Sequence, residues 1–390
     1  MRTRTLAGRV SLRTVALEWA RIGVTGFGGP PAHIALLRRL VVDRRGWISD
    51  RELQDAIAAC NLLPGPASTQ LAIFCARRVA GPAGAVVGGL CFIVPAVGLI
   101  LLLSALFLGN APPAWIRGAG AGSGAAVAAV AVRAATGLMA PSWSRAQASG
   151  RRMRWLAYVA LGGGAAALAG PYLVLALLGC GLAELGLKVN ASGRLHAQAG
   201  ALLAVLPGAV TIGSLGAVAW VAFKVGALSY GGGFVIVPLM QGDAVHGYHW
   251  MTSTQFLNAV ALGQVTPGPV LATVAAVGYG AHGLAGGLIA AAVTFTPSFA
   301  FVLGGGAYFE RMRTNARAQA FLDGAGPAAI GAIFGAAIPL AGAVRETWQV
   351  AILAAAALAL LSARRGVVVT LVGAGLAGAV VALVGGPLPG

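Results

Sequence analysis

Acidic side chains are scarce in this chain: ten Asp and Glu in 390 residues, against 27 Lys and Arg. Charged residues of either sign make up 9% of the sequence. Soluble domains carry about 25%, so a water-covered globular domain is excluded. Nucleotide and hydrolase signatures are missing as well. There is no Walker A sequence, no HExxH and no GxSxG, and neither Gly28-Gly29 nor Gly231-Gly232-Gly233 sits in a βαβ pattern. The expectation is a protein that is not an enzyme and needs no cofactor or metal. Cys60, Cys75, Cys91 and Cys180 stand alone in apolar sequence, without metal or redox spacing, and read as small buried hydrophobes. A net charge of +17 invites a nucleic-acid reading. No basic domain, zinc spacing or aromatic RNA-binding motif supports one.

What the chain has is apolar length. Mean hydropathy is +0.83, and the runs Gly84 to Leu108, Gly118 to Ala140, Gly283 to Phe309, Gly324 to Val344 and Val367 to Val384 approach or exceed the roughly 20 helical residues that cross a hydrocarbon core. The fold class expected is an all-α polytopic membrane protein whose first partner is the lipid bilayer. Arg2, Arg4, Arg9 and Arg13 precede no clean apolar region or cleavage site, so the N-terminus reads as a retained amphipathic segment.

The sequence also repeats itself. Arg21-Ile22-Gly23, Phe27-Gly28-Gly29-Pro30 and Pro64-Gly65-Pro66 recur 203 residues later as Lys224-Val225-Gly226, Tyr230-Gly231-Gly232-Gly233 and Pro267-Gly268-Pro269, and Trp47 falls on Trp250. A period of half the chain implies two structural repeats. Matched loops differ in charge. Residues 38–51 hold Arg38, Arg39, Arg44, Arg45 and Arg51, while 241–254 hold no Lys or Arg. The bias reverses after the next long run: only Arg117 in 109–117, but Arg311, Arg313 and Arg317 in 309–317. It reverses again with Arg145, Arg151, Arg152 and Arg154 in 141–154 against Arg345 in 343–348. If Arg-rich loops are cytoplasmic, the copies lie upside down to each other as inverted-topology repeats with re-entrant or broken helices. The expected division is a first membrane repeat at 1–190 with its motif core at 14–140, a connecting segment at 191–213, and a second membrane repeat at 214–390.

Segments 19–37 and 52–76 start and end on one side by the same rule, each broken midway by Gly and Pro. They read as re-entrant hairpins, with ordinary kinked helices as the alternative. Residues 155–169 and 171–187 suggest two short crossings, and one more is needed within about 198–222, giving about nine full crossings and four broken segments. Trp47, Trp115, Trp143, Trp155, Trp250 and Trp348 fall near segment ends, as interfacial anchors do.

Broken helices inside a membrane suit an anion, because a helix start presents unpaired N–H groups and the positive end of its dipole. The candidate substrate-binding residues are the breaks and their polar neighbours: Gly28, Gly29, Asn61, Pro64, Gly65, Pro66, Ser68 and Thr69 in the first copy. In the second they are Gly231, Gly232, Gln264, Thr266, Pro267, Gly268 and Pro269. Arg21 and Lys224 join them, as a basic pair kept in register; the plainer alternative is that both snorkel to opposite surfaces. Glu18, Glu52, Asp55 and Glu184 are candidates for proton coupling, with no one of them singled out; Glu52 and Asp55 suit a helix N-terminus equally well. His33 and His246 titrate in the right range, though a lone helical His is more often structural.

These motifs resemble the chromate ion transporter family in its duplicated, long-chain form. That family is similar in carrying K/R-x-G-x-x-x-F-G-G followed by P-G-P in each copy, and the likeness extends over about residues 14–388. Tyr230 replaces the Phe and Gly233 stands opposite Pro30. The resemblance implies secondary active export of chromate, driven by the proton gradient or membrane potential, across the cytoplasmic (inner) membrane of a prokaryote. A carrier for sulfate or another oxyanion, and an anion channel, remain as alternatives, and a homodimer is left open.

Overall fold

The computed structural model describes residues 10–60, 65–109, 112–168, 173–191, 214–229, 236–304 and 315–389. Among them all regular structure is helical, in agreement with the all-α membrane class. The first half contains α1 (Leu12–Thr25), α2 (Pro30–Arg38) running into a π-helical turn (Arg39–Arg44), α3 (Asp50–Cys60) and α4 (Ala67–Phe107). It continues with α5 (Ala114–Ala125), α6 (Val127–Ala148), α7 (Arg152–Leu168) and α8 (Leu173–Ala191). The second half contains α9 (Ser214–Leu228), α10 (Ile236–Gln241) with its π-helical turn (Gly242–Gly247), α11 (Ser253–Val265), α12 (Thr273–Gly304), α13 (Ala316–Gly342), α14 (Thr347–Ala357) and α15 (Val367–Leu383). The two π-helical turns stand 203 residues apart, the same interval as the motifs.

Local chemistry explains the starts and the breaks. Ser11 caps α1, its hydroxyl accepting from the Thr14 N–H at 3.2 Å. From there Val15, Trp19, Ile22 and Gly23 form one buried face. Asp50 and Glu52 occupy the first turn of α3, where their charge meets the positive end of the dipole. Glu52 also pairs with Arg78 of α4, which fits the structural role rather than a free coupling carboxylate. The long α4 is two helices in series: Ala80 and Gly81 leave helical geometry, and the chain then runs apolar to Phe107. α12 breaks in the same way at His282 and Gly283. The arm after each P-G-P and the following long run are therefore one element with a corner in it.

Four helical stretches are long and apolar enough to cross a membrane among the described residues: Ala67–Phe107, Ala114–Ala148, Val270–Gly304 and Ala316–Gly342. Ser214–Leu228, Thr347–Ser362 and Val367–Leu383 are apolar but shorter. Of the expected crossings, four are thus matched by helices of full span length among the described residues. Residues 214–222, which the expected extra crossing included, belong to α9; the remainder of the 191–213 connection lies outside the described residues apart from Ala191.

Small residues hold the halves together. α13 packs along α7 and α8, α15 along α5, and α4 against α12, so helices of each half lie on helices of the other. Gly162 and Gly331 at the α7–α13 contact, and Gly118, Gly122 and Gly378 at the α5–α15 contact, leave no room for a Cβ against the facing backbone. This close approach is how helices associate where lipid supplies no hydrophobic drive. Cys60, Cys75 and Cys180 are buried and Cys91 half-buried, all as free thiols. Trp155 departs from the interfacial pattern: it is buried, stacks edge-on with Trp143 and donates to the Ser142 hydroxyl at 2.9 Å. Its indole N–H finds a protein partner instead of the headgroup layer.

Candidate functional site

The breaks of the two halves meet, and they meet crosswise. The Gly65 N–H donates to the carbonyl of Ser229, at the end of α9, at 2.6 Å. The Gly268 N–H donates to the carbonyl of Gly26, at the end of α1, at 3.0 Å. Each P-G-P therefore docks on the first helix of the other half. The glycines are required there: Gly65 has φ +114° and Gly268 φ +95°, which L side chains rarely adopt. Pro66 and Pro269 follow them in extended conformation and lead into the next helical turns.

The matched Gly of the first motif has its own task. A Cβ on Gly23 would lie 2.7 Å from the Phe92 carbonyl of α4, and one on Gly226 would collide with the Thr294 carbonyl of α12. In both halves the first helix touches the backbone of the long helix at this point. Trp19 secures the first of these contacts by donating to the Ala72 carbonyl at 2.8 Å; Thr294 secures the second by donating to Ala222 at 2.7 Å.

A cavity of about 380 Å³ opens where one crossed pair lies. Gly28, Gly29 and Pro30 line it from the first half; Gln264, Thr266 and Gly268 line it from the second. Gly29 precedes α2 with φ 71° and no side chain caps the helix. Pro30 and Pro31 occupy its first positions, so two of the usual N–H donors do not exist, and the His33 N–H is committed to the Gly29 carbonyl at 3.1 Å. This helix start offers an anion less than a full set of N–H groups would. Gln264 is buried and its amide nitrogen has no partner among the described residues; the Thr266 hydroxyl donates to the Gly263 carbonyl at 3.3 Å.

A positive charge at this cavity comes from outside the repeated motifs. Arg133 of α6 also lines the cavity; among the described residues it is the one charged residue of the wall and forms no ion pair. It is the one charge in the run from Gly118 to Ala140. An ionisable residue inside a crossing is costly and marks a functional site by default, so the signal was present. The duplication does not mark it, since the matching run Gly324 to Val344 of the second half carries no charge.

The other candidates fall into place around this cavity. Pro267 and Pro269 flank Gly268 in sequence, and of the three only Gly268 lines the cavity. Gly65 and Pro66 belong to the other crossed contact. Ser68 faces His33, with 3.2 Å between its hydroxyl and Nδ1, while His33 Nε2 lies 2.9 Å from the Gly26 carbonyl. Nε2 must therefore carry the proton and Nδ1 accepts from Ser68, so this pair ties α4 to the end of α1. Thr69 is buried with an unpartnered hydroxyl and does not line the cavity. Asn61, Pro64, Gly231 and Gly232 lie outside the described residues.

Arg21 and Lys224, matched in sequence, have different surroundings. Arg21 is exposed. Lys224 is buried and pairs with Asp243 at 2.5 Å. Asp243 sits in the connecting turn outside the long apolar helices; burial raises its carboxyl above the ordinary range, and the Lys224 charge and hydrogen bond draw it back. The first half has Leu40 where the second has Asp243. Neither cation lines the cavity.

Of the other acidic candidates, Glu18 pairs with Arg45 at 2.6 Å and Arg44 at 3.8 Å. Glu184 is buried with both oxygens occupied: Arg151 on Oε1 at 3.1 Å, and Arg154 at 3.3 Å and the Tyr158 hydroxyl at 3.0 Å on Oε2. It is the hub of an ion-pair cluster that also includes Asp323 and Lys188.

Comparison with known proteins agrees with this architecture. The family model described as chromate transporter matches residues 13–185 and 216–380. A chromate transport protein of Cupriavidus metallidurans is 31% identical over 85% of this chain and 83% of its own length. One of Pseudomonas aeruginosa is 33% identical over 93% of this chain and 90% of its own. A probable chromate transport protein of Synechococcus elongatus is 28% identical over 85% and 84%. No solved structure matches the chain. The relatives are prokaryotic and the helices apolar, so this is a multi-pass membrane protein of a prokaryotic cytoplasmic membrane, and the chain belongs to the chromate transporter family.

Proposed function

We propose that the chain is a secondary active transporter that exports chromate from the cytoplasm, driven by the proton gradient or the membrane potential. One observation carries the reading: a cavity at the crossed breaks of the two halves has, among the described residues, a single cation, Arg133, in an otherwise neutral wall. A tetrahedral dianion entering it loses water and needs charge in return. Arg133 supplies one positive charge with bidentate geometry, and a helix start contributes at best about +0.5. At roughly 30 Å³ of liquid per water, 380 Å³ accepts an oxyanion with part of its hydration shell.

Alternating access follows if the halves, 1–190 and 214–390, are inverted repeats joined through 191–213. Two features support that reading: the reversal of Arg bias between matched loops, and elements that recur at the motif interval. Rocking one half against the other would carry the crossed contacts, and the anion between them, from one face to the other.

The test is uptake of labelled chromate by inverted vesicles, with sulfate competition and a protonophore control. Saturable uptake that the protonophore abolishes is the expected result. Uptake that only follows the chromate gradient downhill would mean a channel, and uptake of sulfate in preference to chromate would reassign the substrate.

A further inference from the structure

α6 carries Arg133, Gly137, Pro141 and Arg145 at four-residue intervals, and such residues share one helix face. Arg133 and Gly137 line the cavity at the crossed breaks. Pro141 and Arg145 line a second cavity of about 280 Å³, and Leu138 lines both. From residue 133 to 145 the helix rises about 18 Å. The two cavities are thus neighbours along one face of one helix, with a leucine between them.

The second cavity is basic beyond what its carboxylates neutralise. Arg145 ends α6, Arg151 precedes α7 and Arg154 lies in its first turn; Glu184 of α8 and Asp323 of α13 oppose them. Arg151 bridges Glu184 and Asp323, the latter at 2.7 Å. Lys188 also takes Asp323, at 2.9 Å. Arg154 shares its acceptor oxygen with Tyr158. Arg145 forms no ion pair among the described residues. Four cations therefore meet two carboxylates. The stretch 141–154, the end of α6, the turn after it and the start of α7, is also one of the Arg-rich stretches that membrane insertion favours in the cytoplasm.

We propose that this second cavity is a capture site for a tetrahedral oxyanion of two negative charges, and that the Arg145–Arg133 face of α6 is its route to the cavity at the crossed breaks. The inference rests on the transport reading above. Arg145 offers an unneutralised guanidinium, and Arg154 gains by exchanging a shared acceptor for an oxyanion of its own. Basic walls with apolar backing raise the local anion concentration and the capture rate. Beyond them the route has space: a Cβ on Gly137 would meet nothing within 4 Å.

A phosphate headgroup of an anionic lipid has the same chemistry, so the experiment separates the sources. Labelled sulfate is bound at equilibrium to the full chain in nanodiscs of phosphatidylcholine, with and without phosphatidylglycerol. Two sulfates per chain are expected without the anionic lipid, one after Arg133→Gln, and one after Arg145→Gln combined with Arg154→Gln. A single sulfate in the native chain, or a stoichiometry that the Arg145/Arg154 variant leaves at two, overturns the capture site. Displacement of the second sulfate by phosphatidylglycerol makes it a lipid site and overturns the route. Gly137→Leu, which fills open space on the route, should reduce chromate flux at least tenfold; native flux in that variant also overturns the route. Two bound sulfates without any chromate uptake by native vesicles would sink the transport reading and leave the second site standing.

Discussion

Residues 12–107 and 214–304 use the same elements in the same order and keep their charge in different places. Gly23 and Gly226 each press a first helix onto a long one, Gly65 and Gly268 each donate across to the other half, and both chains turn through a π-helix at 39–44 and 242–247. Charge follows no such rule. Arg21 is exposed and faces no carboxylate at position 40, while Lys224 is buried on Asp243. Arg133 lines the cavity, and the second half has Gly335 in the matching region. What must be satisfied by backbone has stayed symmetric, because a backbone N–H buried in a membrane has few alternatives. What is carried by side chains has diverged.

The largest effect should come from breaking the buried ion pair of the second half. Asp243→Asn leaves Lys224 buried without its partner, which typically costs about 3–5 kcal/mol. Thermal unfolding in detergent should show a large loss of stability, with little folded protein recovered at worst. The double change Lys224→Met with Asp243→Leu copies the apolar logic of Leu40 and should restore most of it, since apolar replacement of a buried pair is often neutral. If the double variant is as unstable as the single one, the pair has a role that packing cannot replace.

Next comes the asymmetry of the cavity. Arg133→Gln removes a charged hydrogen-bonding partner worth about 1.5–3 kcal/mol, a loss of roughly ten- to hundredfold in apparent chromate affinity. Arg133→Lys keeps the charge without the planar fork and should recover part of the loss. Native transport by Arg133→Gln vesicles would remove this residue from the site and return the burden to backbone dipoles.

Much of this was open to a reader of the sequence, and the division is physical. Gly-Gly-Pro-Pro and P-G-P break helices by local chemistry, so the gap between α1 and α2 and the start of α4 were legible, as was the apolar class. The corner at Ala80-Gly81 was half legible: Arg77 and Arg78 mark it, but they sit inside the helix rather than in a loop. Crossed docking was not legible, because the bonds from Gly65 to Ser229 and from Gly268 to Gly26 are long-range and either half could have closed on itself. Arg133 was legible by one rule and hidden by another, since it has no mate in the repeat. The cluster of Arg151, Glu184 and Asp323 joins residues from both halves, and no local pattern announces it.

Glycine contacts test the symmetric side of the comparison, with an intermediate effect. Gly23→Ala and Gly226→Ala each force a methyl against backbone, and overpacking typically costs about 1–3 kcal/mol. The approach at Gly226 is the closer of the two, so its variant should melt lower in detergent. Equal melting temperatures would mean that the two contacts relax to the same extent and that the halves are more alike than drawn here.

Arg21 gives the smallest and most discriminating effect. Its side chain is exposed, and its position lines neither cavity. Exposed substitutions away from special features usually change stability by about 0.5 kcal/mol or less, so Arg21→Gln should unfold like the native chain. We propose that it still acts on the substrate at a distance, as one term in the field that draws a dianion toward the protein. The half-saturating chromate concentration should then rise modestly, and the rise should fade as added salt shortens the screening length from about 10 Å at 0.1 M toward 3 Å at 1 M. Arg21→Lys keeps the charge and should show no rise. A salt-independent loss of transport in Arg21→Gln would place the guanidinium in direct contact with the anion at some stage of the cycle, and the matched basic pair would then be part of the moving site rather than an edge of it.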